Sequence, residues 1–243
     1  MGAIYKREMR AYFTSPIGYI FIAAYLAVSG FIYSMYTVQA ALTGDTNLGT
    51  YFMMMIFVFS VILPVLTMKS FSEERKLKTE QLLLTAPVSL PGMVTAKFLA
   101  AYTMFAGTYL ISCLNYCVLF MYQPDALALP NLKVTLVGYS IAILLLGGAF
   151  IAIGIFISSL TENQLTAIMG TMAVLILTIL CSFLNSYIDS YPVRVVLSWI
   201  SIYSRFANFT KGVFDYAAVA YYASIMFIFL FLTVRVYEKR RWE

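Results

Sequence analysis

The sequence Ser70-Phe-Ser-Glu-Glu-Arg-Lys-Leu-Lys-Thr-Glu-Gln-Leu-Leu-Leu-Thr-Ala-Pro87 separates two long apolar runs. Together with Lys69 it holds seven charged residues. A charged stretch between membrane segments should lie in water beside the bilayer, because charges inside hydrocarbon are costly. Ser70 and Glu73 have the spacing of a capping box, and Pro87 is a natural helix stop. We therefore predict one short helix of about four turns over residues 70–87.

Composition indicates a membrane protein. Apolar residues make up 62% of the 243 residues and charged residues only 11%, whereas a soluble domain has about 25% charged residues. Several apolar runs exceed the ~18–20 residues needed to cross a bilayer, which excludes a soluble domain with a large core. The net charge of +5 does not indicate nucleic acid, because the basic residues lie at the ends of apolar runs, where they meet lipid headgroups.

The apolar runs predict an all-α polytopic protein, a single domain over residues 1–243. The six expected transmembrane helices are 17–38, 51–68, 93–122, 134–159, 165–187 and 216–236. Pro64 should kink or loosen the second. The third is longer than a bilayer requires, so we expect its inner end around Lys97 to project into water.

Small residues in the fourth expected span are spaced four apart. Gly148 with Ala152, and Gly154 with Ser158, form small-xxx-small pairs that let helices approach closely. The pattern suits either a dimer seam or packing within one chain.

Two further segments should lie at the membrane interface. Residues 2–14 are amphipathic, which is typical of a helix lying flat on the membrane. Their apolar face carries Tyr5, Met9, Tyr12 and Phe13, and their polar face carries Lys6, Arg7 and Arg10. A cleaved signal peptide is the alternative, but the charges extend too far in and no clear cleavage site follows, so we expect the segment to be retained. Residues 188–215 mix polar and apolar positions too often for a span, and we predict interfacial or re-entrant outer helices there.

The basic residues predict the topology. With the N-terminus inside, six spans place twelve Lys and Arg residues in the cytoplasm and four outside, a clear positive-inside bias. The outer four are Lys133, Arg194, Arg205 and Lys211. We therefore expect a multi-pass protein of the cell (inner, cytoplasmic) membrane with both termini cytoplasmic. The charged stretch 70–87 and the short turn 160–164, with Thr161 as the expected N-cap of the fifth span, then share the cytoplasmic side.

The sequence contains no histidine and only three cysteines, Cys113, Cys117 and Cys181. We expect the cysteines to pack as small apolar residues, and we expect no metal site, no bound cofactor and no catalytic residue. No G-x-x-x-x-G-K-[ST] motif occurs, and no charge lies well inside an expected span. We predict that the chain is not an enzyme and that any ATP hydrolysis takes place on another subunit.

Four blocks of sequence resemble the ABC-2 type transporter permeases, most closely the permease subunit associated with gliding motility. The blocks are Lys69–Ser89 followed by Lys97, Ile157–Gln164, Arg205–Asp215 and Glu238–Trp242. Their order and spacing extend over nearly the whole chain. One departure is Leu77-Lys78-Thr79, where relatives often have a glycine before the threonine.

The resemblance implies the permease subunit of an ABC-2 exporter, which forms the translocation path along a seam lined by spans 2 and 5. The implied partners are two ATP-binding cassette subunits that hold ATP and Mg²⁺, and a second copy of the chain or a related permease. The lipid bilayer and an optional accessory membrane subunit are further implied partners. The 70–87 segment would be the coupling helix, and the turn between spans 4 and 5 a second, smaller contact. The expected docking residues are Glu73, Glu74, Arg75, Thr79 and Glu80 in the coupling helix, with Thr161, Glu162 and Asn163 in the turn.

Two alternatives remain open at this stage. The charges of 70–87 would also be explained if they only solvate a loop and fix the topology. A non-transporting scaffold or assembly component with six spans, such as a twin-arginine translocase core or a cytochrome-assembly component, is the alternative function. The first of these usually carries a buried glutamate within the membrane and the second uses histidines, and this sequence has neither.

Overall fold

The computed structural model describes residues 1–35, 48–81, 89–117, 130–185, 201–209 and 215–242. Within these ranges the chain is built from α-helices. They are α1 (Gly2–Thr14), α2 (Pro16–Tyr33), α3 (Leu48–Thr67), α4 (Lys69–Lys76), α5 (Leu90–Ser112), α6 (Pro130–Leu160), α7 (Gln164–Leu184), α8 (Ile202–Phe209) and α9 (Tyr216–Trp242). Six helical segments are long and apolar enough to cross a membrane. They are α2, the consecutive pair α3–α4, α5, α6, α7 and α9. The predicted fold class is confirmed.

Helix α6 lies at the centre of the bundle and packs against α3, α4, α5, α7, α8 and α9. Aromatic rings fill the space around it. Phe52 of α3 stacks on Tyr139 of α6 with ring centroids 4.0 Å apart, and Phe59 of α3 meets Phe105 of α5 edge to face at 5.4 Å. Offset and edge-to-face ring pairs add stabilisation beyond the apolar area that they bury.

The small residues of α6 serve packing within the chain. A Cβ atom added at Gly147 would overlap the ring of Phe105, and one added at Gly148 would overlap the sulfur of Met226 in α9. A Cβ at Gly154 would overlap the hydroxyl of Thr67 in α3. Close helix approach at these positions explains the small-residue pattern without a dimer seam.

The prediction of one continuous helix over 70–87 is wrong. Helix α4 ends at Lys76, and residues 77–79 form a turn. The Lys78 N–H donates to Arg75 O (3.1 Å) and the Thr79 N–H to Glu74 O (2.9 Å), the bond pair of a Schellman motif. Lys78 has φ 55°, in the left-handed region that glycine prefers. Helix α4 therefore ends eleven residues before Pro87, and residues 82–88 lie outside the described ranges.

The capping box predicted at Ser70 is also wrong. Helix α4 follows α3 almost without interruption, because Met68 keeps helical backbone angles. The free N–H groups of Phe71 and Ser72 instead donate to the hydroxyl of Ser158 in α6, each at 3.2 Å. That hydroxyl donates in turn to Met68 O at 3.1 Å. A serine on another helix thus performs the capping role.

The N-cap of α7 is Asn163 and not Thr161. The Asn163 side chain accepts a hydrogen bond from the Leu165 N–H at 3.2 Å, as an N-cap residue does. The Thr161 hydroxyl donates backward to Ile157 O at 3.2 Å. Helix α7 begins at Gln164, two residues later than Thr161 as the N-cap would require.

The outer segment 188–215 is described over residues 201–209 and at residue 215, and helix α8 packs there on α6 and α7. The Tyr222 hydroxyl of α9 donates to Ile202 O at 2.9 Å and fixes the start of α8. Residues 188–200 and 210–214 lie outside the described ranges, as do the ends of the first, third and fifth expected spans at 36–38, 118–122 and 186–187.

Candidate functional site

Helix α4 has one face anchored in the bundle and one face in solvent. Ser70, Phe71 and Ser72 are buried, and the Phe71 ring packs on Tyr237 of α9 with centroids 4.7 Å apart. The opposite face presents Lys76 and the following Leu77, both exposed. An anchored helix with a free outer face can contact a second protein without losing its own position.

Lys97 does not project into water, contrary to the sequence expectation. The Lys97 residue is only 1% exposed. Its Nζ donates to Ser70 O at 2.6 Å, to Glu74 Oε1 at 2.9 Å and to Glu8 Oε1 at 3.2 Å. A buried ammonium is tolerated only when it is paired and hydrogen-bonded, and these three acceptors meet that requirement. The single lysine joins α1, α4 and α5.

Arg7 completes this network from α1. Its Nη2 lies 2.7 Å from Glu8 Oε1 and 2.8 Å from Glu74 Oε1. Partial burial acts to lower the pKa of Arg7, but the hydrogen bonds and charges of Glu8 and Glu74 outweigh it, so that the pKa lies above its ordinary value. Two cations and two carboxylates thus balance each other where the three helices meet.

The phenol of Tyr12 forms a further link between α1 and the membrane body. It donates to Leu66 O of α3 at 3.2 Å. Burial, with a smaller contribution from the charge of Glu8, raises the pKa of Tyr12 well above its ordinary value, so the phenol stays protonated and remains a donor.

The two predicted cytoplasmic contacts touch one another. Arg75 Nη2 lies 2.7 Å from Glu162 Oε1, and Arg75 Nη1 donates to Leu160 O at 3.0 Å. The structure therefore brings α4 and the turn before α7 together, although 85 residues separate Arg75 from Leu160. The carboxylate of Glu162 is otherwise open to solvent, since its side chain is 71% exposed.

Glu80 faces inward, toward the C-terminal end of α9. Its Oε1 accepts from Arg240 Nη1 at 3.0 Å, and Arg240 Nη2 donates to Ser159 O at 2.7 Å. Arg240 therefore joins α9, α6 and the chain just after the Leu77–Thr79 turn.

The predicted docking residues fall into two groups by direction. Glu74, Glu80 and Arg75 are engaged with other parts of the chain, and the Thr79 hydroxyl donates to Glu74 O at 3.2 Å. Glu73, with 38% of its side chain exposed and a long 3.7 Å contact to Lys69, faces outward, as does Glu162.

Four residues of this site were missed as partners by sequence reasoning: Glu8, Lys97, Ser158 and Arg240. For one of them, Glu8, the sequence contains a pattern that could have indicated its role. Glu8 is the single acidic residue in the otherwise basic α1, and an isolated carboxylate among cations invites a search for a buried partner. Among the described residues, no group of three potential metal ligands occurs.

Comparison with protein families assigns the chain. The model of the ABC-2 family transporter protein matches residues 33–237, which is most of the chain. The chain belongs to this family. It is a membrane-spanning, non-catalytic permease component of an ABC transporter. No curated protein matches the chain.

Proposed function

We infer that this permease docks its ATPase through one composite surface, made of the outer face of α4, the Leu77–Thr79 turn and the Thr161–Asn163 turn. The observation that carries the proposal is the Arg75–Glu162 ion pair of 2.7 Å, which makes two distant pieces of sequence into one surface. A partner that moves this surface would move both pieces together. Glu73, Glu162, Lys76 and Leu77 face outward on it.

The inward residues of the same surface provide the path by which motion reaches the membrane. Glu74 connects to α5 through Lys97, Arg75 to the α6–α7 turn, and Glu80 to α9 through Arg240. ATP-driven closure of two cassette subunits, with ATP and Mg²⁺ bound on those subunits, would favour one of two global states of the bundle. This is the mechanism of an exporter whose permease has no nucleotide site of its own.

The position of the chain ends supports the predicted topology. Arg7 near the N-terminus contacts Glu74, and Arg240 near the C-terminus contacts Glu80. Both ends thus lie at the end of the bundle that carries α4. With the excess of basic residues at that end, we place both termini and the docking surface in the cytoplasm, in the cell membrane.

The resemblance implies a second permease copy at spans 2 and 5, and the outer face of α3 and α7 is the matching surface. The helices meet through Phe57 and Phe183, whose ring centroids are 6.0 Å apart. Large apolar side chains remain exposed along this face: Phe57, Val61, Leu165, Met169, Leu177 and Leu180. We propose that a second permease copy covers it and that the translocation seam forms there. A gliding-motility role and an accessory subunit remain predictions from the resemblance.

Charge reversal tests the docking surface. The variant Glu73→Arg with Glu162→Arg should lose the P-loop ATPase that co-purifies with the tagged chain from its native membranes in mild detergent, with subunits identified by mass spectrometry. The control is Glu238→Arg, a solvent-accessible carboxylate on α9 that pairs with Arg235 and is not one of the residues of the proposed surface. Equal recovery of the ATPase with both variants would refute the surface. Absence of any ATPase from the unmodified chain would favour the scaffold alternative.

Cross-linking tests the dimer. In a variant without the three native cysteines, Met169→Cys should form a disulfide-linked dimer on oxidation in membranes, because Met169 is 71% exposed on the proposed seam. Phe227→Cys, exposed on α9, is the matched control. Equal cross-linking at both positions would indicate random collision in the bilayer and would contradict the assignment.

A further inference from the structure

The interfacial helix α1 is attached to α5 along its length and to α4 only by side chains. The Tyr5 hydroxyl donates to the Thr103 hydroxyl of α5 at 3.2 Å, and α1 packs along this helix. Between α1 and α4 lies a cavity of about 200 Å³, lined by residues of both helices. Direct backbone packing therefore does not fix the position of α1 relative to α4.

Charged side chains beside this cavity connect α1 to α4. Lys97 Nζ, at the start of α5, holds a carboxylate oxygen of α1 and a carboxylate oxygen of α4 at the same time. It also lies 4.9 Å from the centroid of the Phe71 ring, which excludes water on one side. Charge pairs in such a partly dry environment are less screened than surface pairs. The arrangement resists separation of the two helices.

We propose that Lys97 is a positioning residue that locks α1 to α4, so that the interfacial helix moves together with the docking surface when the ATPase acts. The proposal rests on the function proposed above and adds α1 to the moving unit. Its consequence is that ATP-driven motion of α4 is transmitted to the membrane surface as well as to the spans.

The test uses a variant that keeps the charges balanced. Glu8→Gln with Lys97→Met removes one carboxylate and one cation and leaves the Arg7–Glu74 pair of 2.8 Å in place. This variant creates no unpaired buried charge, so it should fold. Lys97→Met alone would leave a partly buried carboxylate without its cation and would destabilise the fold. The matched control, Glu238→Gln with Arg235→Met, removes a similar ion pair on the exposed surface of α9.

The readout is the distance between spin labels on α1 and α4. Lys6→Cys and Lys76→Cys place labels at exposed positions, in a background without Cys113, Cys117 and Cys181, in lipid nanodiscs. The parent and the control should give one narrow distance distribution, and the charge-balanced variant a broad one. If that variant does not fold, Glu8→Gln alone, which leaves Lys97 with Glu74 and Ser70, should still broaden the distribution. An unchanged distribution in a folded variant would overturn the proposal.

A second readout separates a positioning role from a purely structural one. In the purified complex, ATP and Mg²⁺ should change the spectrum of a label at position 6 in the parent. The charge-balanced variant should lose this change at position 6 but keep the ATP-dependent change of a label at position 76 on α4, whereas a general loss of structure would remove both. A retained ATP-dependent change at position 6 would overturn the proposal.

The two proposals fail in different ways. The spin-label distances between α1 and α4 are measured on the permease alone and require no ATPase. Failure to capture an ATPase would therefore refute the proposed function, and the distance measurement would still decide whether Lys97 locks α1 to α4. Capture of the ATPase together with unaltered distances in the charge-balanced variant refutes the lock alone.

Discussion

Gly154 of α6 packs directly on the side chain of Thr67 in α3, which leaves no space for a methyl group on Gly154. This contact lies close to the place where α3 continues into α4. It holds the inner end of the second span against the central helix.

The variant Gly154→Ala should therefore destabilise the protein, by about 1–3 kcal/mol, because overpacking forces backbone or rotamer shifts. Thermal unfolding in detergent, followed by loss of the monodisperse peak, measures the effect. Gly30→Ala is the control, since a Cβ at Gly30 meets nothing within 4 Å. Alanine there should be neutral or stabilising, and equal loss of stability at both positions would contradict the packing argument.

Lys78→Gly should stabilise the turn after α4. A residue with a Cβ costs about 1–2 kcal/mol in the left-handed region, and glycine largely avoids that cost, although it adds freedom to the unfolded chain. A net gain of about 0.5–1 kcal/mol is expected in the same unfolding measurement. Lys76→Gly, within the last turn of α4, should instead destabilise by about 1 kcal/mol. A loss of stability with Lys78→Gly would show that the turn is not the one described.

Ser158→Ala should weaken the attachment of α4. The N–H groups of Phe71 and Ser72 would lose their acceptor, at about 1–3 kcal/mol for buried donors left unpaired. Faster amide hydrogen exchange at residues 71 and 72 checks the prediction. Ser159→Ala is the matched control, because the Ser159 hydroxyl donates within α6, to Phe156 O. If exchange at α4 rises equally in both variants, Ser158 is not its cap.

Asn163→Ala should loosen the start of α7, with a cost of about 0.5–2 kcal/mol for the lost N-cap. Thr161→Ala should have a smaller effect, since its hydroxyl only returns to Ile157 O. Hydrogen exchange in the first turn of α7 distinguishes the two. The reverse order of effects would restore Thr161 as the cap.

The sequence was sufficient for properties that depend on local composition. Span number and approximate position follow from apolar length, because each span must satisfy its backbone within its own helix. The departure at Leu77-Lys78-Thr79 coincides with the turn in which Lys78 takes the conformation suited to glycine.

The remaining features depend on contacts that no local pattern encodes. The hydroxyl that caps α4 comes from Ser158, which lies 86 residues beyond Ser72. Lys97 was expected in water because lysine usually is, and its burial follows only from Glu8 and Glu74, which arrive from two other helices. The sequence predicts residues 70–87 and 161–163 as separate contacts, but their union through Arg75 is a property of the folded bundle.

The near-continuity of α3 and α4 has a mechanical consequence. The segment Thr50–Lys76 has 27 residues, which as one straight helix would measure about 40 Å at 1.5 Å per residue, whereas the hydrocarbon layer is about 30 Å thick. The junction at Met68 divides this length, because the N–H groups of Phe71 and Ser72 donate to the hydroxyl of Ser158 in α6. A push on α4 therefore reaches the second span through a joint that the central helix itself holds, so the same push also loads α6.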